Sequence, residues 1–280
     1  MPESSARIAV VVPCFNDGVF VQDAVASIRE AEPVEVVVVD DGSTDMHTIQ
    51  TLAQLTANGV RVEHKANGGL AAARMTGVAV TKAPFIFPLD ADDRLEPGCI
   101  GRLADALIVD SSVAFSYGHL VAFSDELSGM HRERSGRRHD AQPWDPFTLL
   151  YANRWTYACL FRRSALTDVG GWSLAGCYED WDLLLALAEH GFRGTPVDQI
   201  VLHYRQHAEG RMNRACHKRH GEAYRALKRR HTPLFARRRE LAAEAETPVW
   251  RQLTYPLVLG SRPLYPFKLY YAIKRLQGST

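Results

Sequence analysis

The segment Val34-Glu-Val-Val-Val-Val-Asp-Asp-Gly-Ser43 decides the fold class of this chain. Residues 36–39 are four consecutive valines without the polar alternation of a half-exposed strand, which indicates a strand covered on both faces. Other runs of strand length, rich in β-branched or aromatic residues, lie at 8–13, 60–63, 85–89 and 113–117. Amphipathic stretches with helical spacing lie at 21–29, 48–57, 70–80 and 100–109. The alternation predicts an α/β fold with a mostly parallel, doubly wound sheet and helices on both faces.

Composition and charge exclude several classes of protein. Of the 280 residues, 46% are hydrophobic and 23% are charged, which excludes a mainly disordered chain, a collagen and a coiled-coil rod. The formal net charge is only +1, so a nucleic-acid or membrane partner has to be argued from local patches. The sequence shows no apolar run of about 18 residues and no secretory signal. Its five cysteines form no CxxC pair, so we expect reduced, packed thiols in a cytoplasmic protein.

The pattern changes after residue 123. Residues 124–143 are polar and rich in Arg and His, which predicts a mobile loop. Strands are expected near 158–161 and 199–204, and a helix at 179–190 that Gly191 ends. The segment 216–240 contains nine Lys and Arg residues against two Glu and predicts a basic helical region, followed by an aromatic-rich tail at 250–276.

These changes in texture predict the domain organisation. We expect a catalytic domain over residues 1–210, divided into a nucleotide-binding half at 7–123 and an acceptor-binding half at 124–210. A basic and aromatic helical extension is expected over residues 211–280.

Acidic residues follow two strands at the edge where doubly wound sheets bind their ligands. Asp40 and Asp41 come after the second strand, and Asp90, Asp92 and Asp93 come after the fourth. Five like charges at one edge repel one another, so we expect a divalent cation, Mn²⁺ or Mg²⁺, among them. For the segment 40–43 taken alone, an ordinary turn is an equal alternative.

Phosphate-binding glycine loops are absent from the sequence. No GxGxxG follows the first strand and no GxxxxGK[ST] occurs anywhere. A dinucleotide oxidoreductase and a P-loop NTPase are therefore disfavoured. A sugar nucleotidyltransferase is also disfavoured, because the residues after the first strand are not the glycine- and Arg-rich loop expected of that class.

Five ordered motifs resemble those of the family 2 glycosyltransferases. They are Val11-Val-Pro-Cys-Phe-Asn16, Val39-Asp-Asp-Gly-Ser-Thr-Asp45, Asn67-Gly-Gly-Leu-Ala-Ala-Ala-Arg74, Leu89-Asp-Ala-Asp-Asp93 and Glu179-Asp-Trp-Asp182. The resemblance covers about residues 7–207. It implies an inverting enzyme of the GT-A fold that uses a nucleotide sugar as donor.

The resemblance also implies a set of donor-binding residues. Pro13, Phe15 and Asp41 correspond to the nucleobase pocket, with Phe15 placed against the base. Arg74 corresponds to a contact with the base or the diphosphate. Asp90, the first acid of the DxD motif, is expected at the ribose.

The same resemblance places a metal site at the second acid of that motif. Asp92 is the expected ligand, and Asp93 is the alternative ligand on the donor side. Many GT-A enzymes complete the site with a histidine from the C-terminal part, for which His207 is the candidate and His203 the alternative. If His207 is not a ligand, we expect it either to contact the diphosphate together with Arg205 or to be exposed.

Asp180 corresponds to the catalytic base, which takes the proton of the acceptor hydroxyl as its oxygen attacks the sugar. Glu179, Trp172 and Trp181 are expected on the acceptor side. Buried packing is an equal alternative for the two tryptophans. On spacing alone, Glu179 and Asp180 also suit the ordinary acid preference of a first helical turn.

The partners implied are a UDP- or dTDP-type sugar donor and an acceptor that is a glycan, a lipid-linked molecule or a small molecule. Nucleic acid is not expected. The C-terminal extension is expected to pack or be solvated, with peripheral membrane contact or a homodimer as further possibilities. The competing hypothesis is a GT-A-shaped protein that binds nucleotide sugars or serves as a scaffold without turnover.

Overall fold

The computed structural model describes residues 6–125, 135–153, 158–207 and 219–259. The described residues fall into two compact units. The first lies within Met1–Trp144 and Trp155–Arg211, and the second within Asp145–Arg154 and Met212–Thr280. The predicted domain boundary near residue 210 stays a prediction.

A nine-stranded mixed sheet forms the centre of the first unit. Its strands are β1 (Ile8–Cys14), β2 (Val34–Asp40), β3 (Arg61–His64), β4 (Phe85–Pro88), β5 (Arg94–Leu95), β6 (Val113–Phe123), β7 (Arg138–His139), β8 (Cys159–Arg162) and β9 (Arg193–Arg205). The spatial order is β3-β2-β1-β4-β8-β6-β9-β5, and β7 pairs with β6. This sheet and its helices confirm the predicted α/β, GT-A-type class.

The N-terminal part of the sheet is parallel, as the sequence predicts. β1 pairs in parallel with β2 and with β4, and β2 pairs in parallel with β3. Cys14 lies opposite Asp40, and Val11 lies opposite Pro88. The acidic turns after β2 and β4 therefore leave the sheet at the same edge.

Helices cover this part of the sheet. They are α1 (Gly18–Ser27), α2 (Met46–Ala57), α3 (Leu70–Val80) and α4 (Cys99–Val109), and the later helices of the first unit are α6 (Arg163–Asp168) and α7 (Glu179–Glu189). The core joins β1 to these helices through fully buried side chains such as Val10, Val12, Leu52 and Leu103. The run Val37–Val39 is also fully buried, as its lack of polar alternation predicts.

The C-terminal part of the sheet differs most from expectation. β6 and β9 are both longer than predicted, because they pair with each other in parallel from Val113 to Phe123 through several irregularities in register. The polar start of β9 at Arg193 and the glycine at 118 hide this pairing from a periodicity analysis. Residues 126–134 of the predicted loop at 124–143 lie outside the described residues, but its end contains β7, which pairs with β6.

The cysteines are only partly as expected. Cys14, Cys99 and Cys159 are buried free thiols. Cys177 is disulfide-bonded, so the prediction of reduced cysteines is wrong there. Sequence spacing does not reveal which distant thiols a fold brings together.

The second unit contains five described helices: α5 (Pro146–Leu149), α8 (His220–Arg230), α9 (Thr232–Ala236), α10 (Arg238–Glu244) and α11 (Val249–Val258). Asp145 begins α5 by accepting hydrogen bonds from the amides of Phe147 and Thr148. The buried Tyr224 of α8 donates its hydroxyl to the carbonyl of Leu150 at 2.9 Å. These helices confirm the helical character predicted for residues 216–240. The tail beyond residue 259 lies outside the described residues.

Over the described part of the chain, we find no helix with the length and apolar character needed to cross a bilayer.

Gly77 of α3 packs directly on β1, where a Cβ atom would lie 2.2 Å from Cγ1 of Val11. We expect Gly77→Ala to lower the free energy of unfolding by about 1–3 kcal/mol, because the short valine has no room to move. The measurement is denaturant unfolding of both proteins. Gly101→Ala on α4 is the control, since its Cβ would meet only the ends of long side chains, those of Glu32, Glu30 and Arg7. Equal stability of the two variants would contradict this packing.

Candidate active site

The buried guanidinium of Arg74 joins two acidic motifs. Arg74, on α3, is only 3% exposed. Its Nη1 donates to Oδ1 of Asp180 at 2.5 Å and to Oε1 of Glu179 at 3.3 Å. Its Nη2 donates to Oδ1 of Asp90 at 2.8 Å. One side chain thus brings the turn after β4 and the start of α7 to the same place.

One positive charge here faces three carboxylates. Burial acts to lower the pKa of Arg74, but the attraction of Asp180, Asp90 and Glu179 outweighs it and raises that pKa. Burial raises the pKa of Asp90, and the charges of Asp92 and Asp180 act in the same direction against Arg74. The site therefore carries an excess of negative charge that a cationic ligand would relieve.

Glu179 is a carboxylate whose pKa is raised into the neutral range. Burial and the neighbouring charge of Asp180 raise the pKa of Glu179 to about 7, although Arg74 opposes them. Near neutral pH, Glu179 therefore exists in both protonation states.

The start of α7 fixes these acids. Tyr178 precedes the helix with φ at 71°, a left-handed conformation that costs a non-glycine residue about 1–2 kcal/mol. Glu179, Asp180 and Asp182 occupy the first turn, where the helix amides stabilise negative charge. Such strain tends to persist where the surrounding structure requires the conformation.

Trp172 and Trp181 are buried, with 3% and 4% of their surface exposed. The indole N–H of Trp172 donates to Oδ1 of Asp180 at 3.0 Å, and its ring lies 5.6 Å from the guanidinium carbon of Arg74. Trp181 packs edge-on against Tyr178. Neither ring offers an open face to a sugar, so buried packing, the alternative left open by the sequence, describes both. Trp172 positions Asp180, a contact that the sequence does not reveal.

The structure separates the two candidate histidines. Nε2 of His207 lies 2.7 Å from Oδ2 of Asp92, and both side chains are about one-third exposed. Nε2 of His203 lies 2.6 Å from Oε2 of Glu96. His207 is therefore the histidine that shares a site with the DxD motif.

Asp93 points away from solvent and is held by β9. It is 2% exposed, and its Oδ1 accepts a hydrogen bond from the amide of Arg205 at 2.8 Å. Burial raises the pKa of Asp93 well above its usual value, and the charges of Asp92 and Asp90 add to this. Asp93 therefore ties the acidic turn to β9.

Arg205 also supports this turn. Its guanidinium lies 4.6 Å from the ring centres of both Phe20 and Phe123. Its Nε donates to the carbonyl of Asp92 at 2.7 Å, and Nη1 pairs with Asp125. Arg205 is 4% exposed, so its buried guanidinium positions the acidic turn at Asp92. The only sequence signal for this role was its place two residues before His207.

Asp40 and Asp41 have partners of their own. Asp40 accepts from the amide of Ser43 and lies 2.9 Å from Nδ1 of His64. These hydrogen bonds outweigh the effect of burial and hold the pKa of Asp40 below its usual value. Asp40 therefore has partners of its own among the described residues, and the expectation of a cation shared by all five acids stays a prediction.

Asp41 organises the loop before α3. Its Oδ1 accepts from Nζ of Lys65 at 2.5 Å and from the amide of Gly68 at 2.9 Å, and its Oδ2 accepts from the amide of Gly69 at 2.7 Å. The amides of Gly68 and Gly69 therefore serve to bind this carboxylate. Both carboxylate oxygens of Asp41 thus already accept hydrogen bonds. A contact between Asp41 and a nucleobase would have to share these oxygens with Lys65, Gly68 and Gly69.

The remaining donor-binding candidates follow β1. Pro13 is buried in the strand, whereas Phe15 is 45% exposed just beyond it. Asn16 takes a left-handed conformation, and its Oδ1 accepts from the amides of Thr44 and Asp45. These bonds fasten the turn after β1 to the turn after β2. An exposed ring at this edge is suited to stack on a planar base.

The side chains of Asp92 and His207 supply only part of the ligands that a hard divalent cation needs. Asp92 and His207 offer a carboxylate oxygen and an imidazole nitrogen, both of which Mn²⁺ accepts. No group of three His, Cys, Asp or Glu residues within the described ranges forms a complete site. A cation held at Asp92 and His207 would therefore need further oxygens from a ligand or water, as Mg²⁺ commonly does.

The predicted residues thus form two groups. Arg74, Asp90, Asp180, Glu179 and Trp172 form one connected cluster, which the charges of Asp92 and Asp93 extend to His207. Pro13, Phe15 and Asp41 form the second group, beside β1 and β2, and no hydrogen bond between described residues joins them to the first. Trp181 belongs to α7 and packs against Tyr178.

Comparison with known sequences gives a family. Residues 9–170 match the family model described as Glycosyl transferase family 2. Chondroitin synthase and hyaluronan synthase of Pasteurella multocida are each 32% identical over 197 residues, which is 66% of this chain. The succinoglycan biosynthesis protein ExoU of Rhizobium meliloti is 40% identical over 101 residues, 34% of this chain and 29% of that protein. The alignment spans only 19% of the length of each of the two synthases.

Comparison with solved structures confirms the fold. The mannosyltransferase PcManGT from Pyrobaculum calidifontis, in complex with GDP-Man and Mn²⁺, aligns over 100% of this chain and 78% of its own length, with a TM-score of 0.55. S. aureus TarS 1–349, in complex with UDP-GlcNAc, aligns over 74% of this chain and 60% of its own, with a TM-score of 0.54. Both are 18% identical, so these similarities support the GT-A fold and no finer property.

The raised pKa of Glu179 predicts a pH-dependent stability. The folded protein keeps this proton to about pH 7, whereas an ordinary glutamate releases it near 4.5. The unfolded state then binds fewer protons between these values, so stability falls as pH rises through this window. We expect the fall in the free energy of unfolding across this pH window to be about 1–3 kcal/mol smaller in Glu179→Gln than in the wild type.

The measurement is denaturant unfolding of wild type and variant at pH values below 4.5 and above 7. Glu222→Gln, at an exposed position on α8, is the control for the change of side chain. A wild-type pH profile that Glu179→Gln leaves unchanged would rule out the proposed titration.

Proposed function

The chain belongs to the family 2 glycosyltransferases, and from this membership we propose that it is an inverting transferase. It moves a sugar from a nucleoside diphosphate donor to a hydroxyl of a glycan, a lipid-linked molecule or a small molecule. The observation that carries the proposal is the bridge from Asp90 through Arg74 to Asp180. It unites an acid of the donor-binding motif with the candidate base.

Asp180 is the proposed base because its carboxylate is both fixed and accessible. Oδ1 accepts from Arg74 and Trp172, while the side chain remains 23% exposed. As the acceptor oxygen forms its bond to the anomeric carbon, its proton passes to Asp180. The bond from that carbon to the diphosphate breaks, and its electron pair leaves with the diphosphate. Attack from the face opposite the leaving group inverts the configuration.

Glu179 and Arg74 support this step. Glu179 is 6% exposed, which leaves little surface for the acceptor contact expected from the sequence. We assign it instead to holding Arg74. Arg74 keeps Asp180 and Asp90 in place through the ion pairs of its buried guanidinium.

Asp92 and His207 are the residues proposed to hold Mn²⁺ or Mg²⁺, and PcManGT is a GT-A neighbour with Mn²⁺ bound. Such a cation supplies positive charge to the diphosphate as it leaves. Arg205 and Asp93 keep the Asp92 turn in position from behind.

The donor base is proposed to be uracil or thymine, lying against Phe15 near Pro13 and Asp41. TarS binds UDP-GlcNAc and PcManGT binds GDP-Man, so both pyrimidine and purine donors occur among the structural neighbours. A panel of sugar nucleotides, scored by release of the nucleoside diphosphate, identifies the donor.

The second candidate function is donor binding without turnover. It is favoured by the hydrogen bonds that occupy Oδ1 of Asp180 and both oxygens of Asp41. Saturable donor binding with no product from any acceptor in the panel would support it. Peripheral membrane contact and a homodimer remain the two alternatives for the partner of the C-terminal extension.

Asp180→Asn tests the base. The amide oxygen can still accept from Arg74 and Trp172, so the site keeps its shape, but the proton acceptor is lost. We expect turnover to fall by about a thousandfold, with the dissociation constant for UDP within a few-fold of wild type by calorimetry. Asp168→Asn, an exposed acid at the end of α6, is the control. Near-normal turnover of Asp180→Asn would exclude this assignment.

His207→Gln tests the metal site. We expect the gain in UDP affinity on adding Mn²⁺ to fall by about tenfold to a hundredfold, because one ligand is lost. Calorimetry with and without Mn²⁺ gives the gain directly. His203→Gln is the matched control, since His203 pairs with Glu96 instead. If both variants keep the full gain, the cation is held elsewhere.

A further inference from the structure

The C-terminal segment concentrates the positive charge of the chain. Residues 211–280 contain sixteen Lys and Arg residues and only four acids, all Glu, although the whole chain carries +1. From residue 247 to the end there are five basic residues and no acidic one. The preceding 210 residues are correspondingly acidic. Such a division of charge within one chain indicates a polyanionic partner for the basic part.

Helix α8 shows how part of this charge is displayed. Arg225, Lys228 and Arg229 follow one another at helical spacing on one face, and all three are exposed. With Thr232, Phe235 and Ala236 they line a shallow cavity of about 480 Å³. Within the described ranges, no carboxylate pairs with any of the three cations. They are therefore available to an external anion.

Helix α11 displays an apolar face to solvent. Val249, Trp250, Leu253 and Leu257 are 69%, 52%, 69% and 57% exposed. At 100° per residue these four positions fall within an arc of about 100°. Tyr255, on the opposite side of the helix, is 5% exposed and faces the second unit. A contiguous apolar face of this kind marks an interaction site.

We propose that the second unit binds the surface of an anionic lipid bilayer. The apolar face of α11 enters the boundary between headgroups and acyl chains, and the cations of α8 lie at the lipid phosphates. An amphipathic helix with Trp and Leu on its apolar face, combined with basic residues nearby in the sequence, is typical of helices that lie in this interface. With only ten residues, α11 lies on the bilayer and does not span it.

Two other occupants fit less well. A second copy of the chain would bring two strongly basic surfaces together, and their repulsion opposes a symmetric dimer. A nucleic acid would satisfy the cations, but its phosphate backbone gives no contact for the aliphatic Val249, Leu253 and Leu257. Of these three occupants, a lipid surface is the one that satisfies both features.

Flotation of the full chain with lipid vesicles tests the proposal. We expect binding to vesicles of phosphatidylcholine with phosphatidylglycerol, little binding to phosphatidylcholine alone, and release at high salt. Leu253→Glu with Leu257→Glu should weaken binding by about tenfold or more. Ile108→Glu with Val109→Glu is the matched control, because these two α4 residues are also exposed, at 58% and 88%, but belong to the acidic part of the chain.

A second pair of measurements separates charge from burial. Arg225→Glu, Lys228→Glu and Arg229→Glu together should weaken binding to the anionic vesicles by about a hundredfold at low salt. Brominated acyl chains should quench the fluorescence of the wild type, and Trp250→Phe should remove this quenching. The second readout needs no destabilising substitution.

Several results would overturn the proposal: no vesicle binding, equal binding to neutral and anionic vesicles, or an equal loss in the α4 control. Conversion of a dimer to a monomer by the Leu253 and Leu257 changes would show that a second copy covers this face. Binding of an RNA homopolymer without vesicle binding would identify nucleic acid as the partner.

Discussion

The buried charge of Arg74 is the interaction on which the rest of the site depends. The side chain of Asp90 comes from the turn after β4, and those of Glu179 and Asp180 come from the start of α7. All three meet at the guanidinium of Arg74, a residue that is 3% exposed. Removing this cation would leave Glu179, which is 6% exposed, without its charge partner, and breaking a buried ion pair in this way is strongly destabilising. The small residues of α3 bring the helix close to the sheet, with Gly77 against Val11, and this approach places Arg74 beside Asp90. Packing of the core and electrostatics of the site therefore depend on each other.

Arg74 and Arg205 divide the support of the acidic turn between them. Arg74 holds Asp90 from the side of α7, whereas Arg205 holds the backbone at Asp92 from β9. Burial raises the pKa values of Asp90, Asp93 and Glu179, and the negative charge that the two arginines leave unbalanced adds to this effect. The residues of the chain thus organise this turn by themselves, so the proposed binding of a cation requires little rearrangement.

The sequence predicts the parallel part of the sheet well, because each strand there is followed locally by its motif and its helix. β1, β2 and β4 and the acids after them are readable from runs such as Val36–Val39. β9 is not, since its pairing with β6 joins residues about 80 positions apart. The role of Arg205 depends on such distant contacts, with Asp92 and Asp93. Trp172 contacts Asp180 only eight residues along the chain, but no sequence pattern marks this hydrogen bond. Burial likewise decides between the two roles left open for Trp172 and Trp181.

The division of charge along the chain has a consequence for orientation. An anionic bilayer attracts the basic C-terminal segment and repels the acidic residues that precede it. These forces favour an approach to the bilayer through the basic residues of α8, as the proposed attachment requires. The two proposals together give one chain an acidic site for chemistry and a basic surface for attachment.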